Sequence, residues 1–394
     1  MNNVKTTAKD IEQDVIKWYR DLHKIPELHD QLPMTTEYVR DALDKLGIRY
    51  NTYSNSGIRA VIDCGEGDKV IAFRADMDAL PVIEETGLEY ASTNKGCMHA
   101  CGHDAHTAML LGAAKILVSC KEKLQGKIVL LFQPAEETSG GAKIMIDEGC
   151  LKNPDVDMII NFHSGRLFPG VANGQVGWKK GSIMAAVDTF NVTVRGKGGH
   201  GAYPDECTDP IPVACQMIQA LQNIVSREIK PTHGAVITVG QLNAGTLVNI
   251  IPDTATFGGT IRTLDPKDRE LVCKRMEEVF KGISQATRTT ADIYIGHSYP
   301  VSVNDSKAVD FFVKSAAKIV GEENLVEIQD ASTGTEDISY YLQEVPGSFG
   351  TLGSLEAHSD GICYPHHNSK FRIAEDCLYL GSAIYAQCGI DFLT

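Results

Sequence analysis

Short β-type runs alternate with helical ones through the first 165 residues, and this alternation restricts the fold more than any other feature. "IRAVIDC", "KVIAFRADMD", "GKIVLLFQP" and "DMIINFH" are separated by stretches with apolar residues at helical spacing over 105–117 and 141–148. That order predicts an α/β domain, a mainly parallel sheet covered by helices. Two helices precede it. Ile11, Val15, Trp18 and Leu22 recur at helical spacing up to Pro26, and Val39, Ala42, Leu43 and Leu46 do so up to Gly47. From about residue 188 the order changes: "DTFNVTVRG", a helix over 210–226, "AVITVGQL", "TATFGGTIRT", a helix over 266–287, then "ADIYIGH". This is the βαββαβ order of ferredoxin-like α+β domains. It predicts an insertion of residues 187–298 into a discontinuous catalytic domain of residues 1–186 and 299–394. The helix over 306–320 returns to the first domain.

Composition sets the chemical company such a chain keeps. With 394 residues, 43% hydrophobic and 22% charged, it is long enough for two domains. A net charge of -14 opposes attraction to phosphate backbones or anionic lipids, so neither nucleic acid nor a membrane is an expected partner. "KIVLLF" is too short to cross a bilayer and "MNNVKTTAKDIEQDV" has no apolar signal core, which points to the cytoplasm. Eleven cysteines without framework spacing fit a reducing compartment.

In open α/β sheets ligands gather beyond the carboxyl ends of the strands. "FRADMD" ends there with Asp76 and Asp78, "LLFQPAEE" with Glu136 and Glu137, and "IINFH" with His163. "CMHACGHDAHT" follows the first of these and brings Cys101 and His103, while "YPHHNSKF" supplies His366 and His367 far along the chain. Singly, "PAEE" is an ordinary solvated turn and Cys101 a buried small hydrophobe. Jointly, a thiolate, imidazoles and carboxylates suit divalent transition metals and suit magnesium or calcium poorly. Two ions would use Cys101, His103, Glu137, His163 and His367 and leave room for a water between them. Glu136, adjacent to Glu137 but facing elsewhere, is the expected general base. His99, His106 and His366 are read as supporting residues. Two rivals stand beside this reading: a thiol enzyme with Cys101 as nucleophile, and a non-catalytic metal-binding protein. The second has no use for Glu136.

"FRADMDALP", "MHACGHDAHT", "FQPAEE", "GKGGHGAYP" and "VNIIP…GGTIRT" together resemble the aminoacylase/carboxypeptidase family of binuclear metal amidohydrolases. The similar branch holds hippurate hydrolase, indoleacetyl-amino-acid hydrolases and the aminobenzoyl-glutamate hydrolase A subunit. The resemblance implies two divalent metal ions per subunit (Mn2+ or Zn2+, with Co2+ or Ni2+ as alternatives) and an inserted lid domain that also forms a homodimer. It further implies that His200 stabilises the oxyanion and that Asn249 and Arg262 contact substrate. The expected reaction is cleavage of the amide of an N-acyl amino acid, with dipeptidase or carboxypeptidase action as the alternative. Where many members have a proline the chain has Arg166. Arg166, Phe168 and the "GTEDISYY" to "GSFGTLGS" segment are the expected pocket walls, which suit an aromatic acyl group on an amino acid with a free carboxylate, and Arg262 is its expected partner.

Overall fold

The computed structural model describes residues 3–138, 140–358 and 361–394. The chain divides into two compact units, residues 1–181, 303–330 and 337–394 in one, 182–302 and 331–336 in the other.

The first unit is built on an eight-stranded sheet. Its order is Arg49–Thr52, Ile58–Asp63, Lys127–Gln133, Val70–Asp76, Met158–Gly165, Gly347–Gly353, Val176–Trp178 and Leu325–Glu327. The four neighbouring strands from Lys127–Gln133 to Gly347–Gly353 are parallel to one another, whereas Ile58–Asp63 runs antiparallel to Lys127–Gln133. The sheet is therefore mixed and mainly parallel at its centre. Val70–Asp76 is buried along its whole length, which is why its sequence is apolar on both faces up to Phe73, before Arg74 and the terminal acid. Register sets Asp76 opposite Gln133, so "RAD" and "QPAEE" end on the same rim.

Gly347–Gly353, "GSFGTLG", is a fully buried central strand that β-propensity does not reveal. Its glycines are required by close approach: a Cβ on Gly353 would lie 2.0 Å from the Ala172 carbonyl oxygen, and one on Gly350 2.8 Å from that of Gly177. The helix Leu378–Leu393 is likewise buried nearly all round and shows little amphipathic signal for that reason.

Three helices open the chain rather than two: Val4–Asp10, Glu12–His23 and Pro33–Lys45. The second turns Val15, Tyr19 and Leu22 inward and ends in a buried charged group. His23 Nδ1 lies 2.6 Å from Asp104 Oδ2, and its Nε2 lies 3.2 Å from Glu84 Oε1. Burial by itself lowers the pKa of this imidazole, but hydrogen bonds to Asp104 and Glu84 outweigh it and raise the value from 6.5 to about 9. A raised value stabilises the fold fully below the unfolded pKa, and that contribution disappears as pH rises through about 9. The shift corresponds to about 3 kcal/mol. Urea unfolding between pH 7 and 10 is expected to show a steeper loss of stability in the wild type than in His23→Gln. Comparison with the variant cancels the background from buried cysteines and tyrosines. Equal slopes would remove His23 as the cause.

The second unit carries a four-stranded antiparallel sheet in the order Ala235–Ala244, Thr254–Thr263, Ala186–Arg195, Thr290–His297. The helices Pro210–Asn223 and Pro266–Thr287 share a core with it that includes Phe190, Met217, Phe257, Met276 and Phe280. Ala186–Arg195 alternates buried and more exposed residues, as a strand with one covered face does. The unit starts at Ser182 and ends at Ser302, a few residues outside 187 and 298. It also includes 331–336, which no periodicity marks: the Ala185 N–H is shared between the Ser332 and Gly334 carbonyls. Among the described residues no helix is long and apolar enough to cross a membrane.

Candidate active site

The rim of the first unit's sheet gathers five donors. Cys101 Sγ is 3.4 Å from His163 Nε2, Glu137 Oε1 is 3.2 Å from His367 Nε2, and His103 Nε2 is 4.0 Å from the same Glu137 oxygen. One donor atom each from Cys101, His103 and His163 lies within a 4.8 Å span, as does one each from Cys101, Glu137 and His367, and from His103, Glu136 and Glu137. Cys101, His103 and His163 are buried, whereas the His367 side chain is 55% exposed.

Backbone carbonyls settle which nitrogen of each ring faces the cluster. A carbonyl oxygen only accepts, so His103 Nδ1–H donates to Asp78 O at 2.8 Å and His163 Nδ1–H donates to Ser164 O at 2.7 Å. Both Nε2 lone pairs are thereby left for the cluster, in the arrangement that orients metal-binding imidazoles. His103 Nε2 is buried and makes no hydrogen bond among the described residues.

The charges call for cations. Burial, then the carboxylates of Glu137, Glu136 and Asp76, push the Cys101 thiol well above its ordinary range. Burial opposes a charge on His103, yet Asp76, Asp78 and Glu137 raise its pKa to about 10. Without an ion the cluster retains protons on sulfur and imidazole, protons that a bound cation would displace. A buried thiol, three imidazoles and a carboxylate therefore fit divalent transition ions.

Further residues hold these donors, and sequence reasoning had placed only some of them. Asp78 accepts the N–H of Glu136 at 2.9 Å on one oxygen and that of Glu137 at 3.0 Å on the other, presenting the turn that follows "LLFQP". Within it Ala135 has a φ of 60°, a left-handed conformation that costs a non-glycine residue energy. His106 Nδ1–H donates to Asp76 Oδ1 at 2.5 Å, and its Nε2 accepts from Ser164 N at 2.8 Å. His366 Nε2–H donates to Ser164 O at 3.0 Å, the acceptor already used by His163. Gly165 has φ of 91°, and a Cβ there would lie 2.3 Å from His366 Nε2. Beneath Glu136, Arg74 and Asp337 form a wholly buried ion pair that no local motif announces.

Known proteins share this chain's sequence and fold. The sequence profile of peptidase family M20/M25/M40 matches residues 72–389. The chain belongs to this family. It is 42% identical over 374 residues to the N-acetyl-L-cysteine deacetylase of Bacillus subtilis, covering 94% of this chain and 86% of that protein. It is 36% identical over 385 residues to the hippurate hydrolase of Campylobacter jejuni, covering 98% of each. A solved structure from Bacillus subtilis, described as a dinuclear metal-binding peptidase of family M20, superposes with a TM-score of 0.84 at 32% identity over 98% of this chain and 99% of that one. This M20 chain is thus a hydrolase, and named relatives act on N-acyl amino acids.

In the M20 chain's second unit, His200 and Asn249 come together. Gly199–His200 pairs with Ile250–Ile251, and the Gly201 N–H donates to Asn249 O at 2.9 Å. His200 is exposed and its Nδ1 accepts the Ala202 N–H at 3.1 Å, which puts the ring proton of the neutral imidazole on Nε2. Arg262 is half-buried and donates from Nη1 to Thr333 O at 2.8 Å. Phe168, expected as a pocket wall, is instead only 2% exposed: an aromatic ring just after the strand Met158–Gly165 is drawn into the core by its apolar area. Arg166 is exposed.

Proposed function

We propose that this M20 hydrolase holds two divalent transition ions on Cys101, His103, Glu137, His163 and His367 and cleaves the amide of N-acyl amino acids. The observation that carries this is the convergence of those five side chains, with the unshared Nε2 of His103 among them and the Glu136 carboxyl alongside. Bound ions would polarise the scissile carbonyl and acidify a water. Glu136 removes the proton of the attacking water and returns it to the leaving nitrogen. His200 offers Nε2–H to the carbonyl oxygen as negative charge develops there. Asn249 and Arg262 hold the amino-acid portion, the guanidinium pairing with its free carboxylate.

The acyl group we assign is aromatic, benzoyl or aminobenzoyl in type. The relative named for hippurate supports this, and the relative named for N-acetyl-L-cysteine marks the competing acetyl preference. A second copy of the chain is the proposed partner, through the second unit. Among the described residues its edge strand Ala235–Ala244 pairs on one side only, and it exposes Val236 and Leu242. All eleven cysteines are free, which supports a cytoplasmic setting.

Purified protein is expected to hold up to two manganese or zinc ions per chain by elemental analysis, to lose activity with chelator and to regain it on adding either metal. Benzoyl-amino acids should then be cleaved faster than acetyl ones, and both faster than their carboxamides. Active protein without metal would sink the two-ion reading. Faster acetyl substrates would overturn only the aromatic assignment.

A further inference from the structure

We propose that His23, at the end of the helix Glu12–His23, is a positioning residue for the metal centre: through Asp104 it fixes the turn that presents Cys101 and His103. The proposal rests on the two-ion reading above. The matched family profile begins at residue 72, so this helix lies outside the stretch that profile matches.

Asp104 follows His103 directly, in the first turn of the helix His103–Cys120. Its Oδ1 accepts the Ala105 N–H at 2.8 Å, and its Oδ2 lies 2.6 Å from His23 Nδ1. With both oxygens engaged, the carboxylate cannot turn without breaking a buried hydrogen bond. The other ring nitrogen of His23 reaches Glu84 Oε1 at 3.2 Å, and Glu84 is itself held by the Ser92 N–H at 2.7 Å and by the Thr86 hydroxyl. Glu84 and Ser92 belong to the loop running from Asp78 to Cys101. One imidazole thus ties together the N-terminal helix, that loop and the turn carrying the two donors. The loop begins at Asp78, whose carbonyl orients His103 and whose carboxylate holds the N–H groups of Glu136 and Glu137.

Packing leaves His23 little freedom. Its ring is 2% exposed and lies 5.7 Å from the Tyr19 ring, 5.5 Å from that of Tyr90 and 6.4 Å from that of His99. His99 precedes Cys101 by two residues. Outer partners of this kind set the orientation of the ligating groups, and their loss typically costs about 10- to 100-fold in metal affinity.

The test uses full-length wild type, His23→Gln, Asp104→Asn, the double variant and Val15→Ala, with manganese or zinc dissociation constants measured by competition with a chelator. Fold is checked by circular dichroism and urea unfolding. Val15 is wholly buried on the same helix, so its truncation loosens that helix without touching Asp104. His23→Gln and Asp104→Asn are each expected to weaken metal binding by about 10-fold or more. The double variant should be no weaker than Asp104→Asn, because the two residues act in series, and Val15→Ala should bind as the wild type does. His23→Gln binding metal like the wild type, or no worse than Val15→Ala, overturns the proposal. If His23→Gln does not fold, Asp104→Asn decides alone. A wild type that binds no metal overturns instead the two-ion reading beneath it.

Discussion

Glu136→Gln is expected to lower kcat by about 10²- to 10⁴-fold while metal content and fold stay as they are. The side chain sits in a prepared place: Glu136 is only 6% exposed, its N–H is held by Asp78 at 2.9 Å, and its Oε1 lies 3.4 Å from the Asp337 N–H. Glutamine keeps this shape and can present an oxygen to the Asp337 N–H, so the turn should survive. What it cannot do is accept the proton of the attacking water or hand one to the leaving nitrogen. Glu137→Gln is expected to behave differently, losing metal, because its Oε1 lies among His103 and His367. Turnover by chromatographic assay and metal content by mass spectrometry separate the two. Undiminished kcat in Glu136→Gln would place the base elsewhere.

Asp337→Ala is expected to destabilise the first unit by about 3–5 kcal/mol, the cost of removing one partner of a buried ion pair. Arg74 is wholly buried, with Nη1 2.8 Å from Asp76 Oδ2 and Nη2 2.5 Å from Asp337 Oδ1. The other oxygen of Asp337 accepts from Gln133 Nε2 at 2.7 Å and from the Ala142 N–H at 3.0 Å. Alanine therefore strips a guanidinium, an amide and a backbone N–H of one acceptor group. Against a total stability of about 5–15 kcal/mol for a domain, that is a large fraction, and it will show as a lower urea midpoint. Activity should fall as well, since the Asp337 peptide that faces Glu136 loses its anchor. A loss under about 1 kcal/mol would mean that Asp76 alone balances Arg74.

The parts of this protein legible from its residues are those with a local signature. "KVIAFRAD", "KIVLLFQ" and "MIINFH" are strands because short apolar runs rich in β-branched residues and bounded by turn residues are too brief for helices and suit a buried sheet, and each ends in chemistry at the same rim. The central strand "GSFGTLG" was not legible, since its reason for existing is the nearness of Ala172 and Gly177 rather than any preference of its own. The same holds for Phe168, which a loop-and-wall reading left exposed and the core took in.

Residue types and order along the chain by themselves determined a metal-capable α/β protein: soft sulfur, imidazole and carboxylate at successive strand ends, with a spare glutamate beside them. Only the tertiary structure decided how those groups are held. That Asp78 braces the Glu136–Glu137 turn, that Ser164 O aligns both His163 and His366, and that His23 reaches Asp104 across 81 positions are outcomes of packing. Periodicity and local motifs report contacts made within a turn or two of the chain. A buried hydrogen bond between distant segments is set by which side chains the closed core leaves facing one another, and each polar group sealed inside must find a partner there because water no longer supplies one.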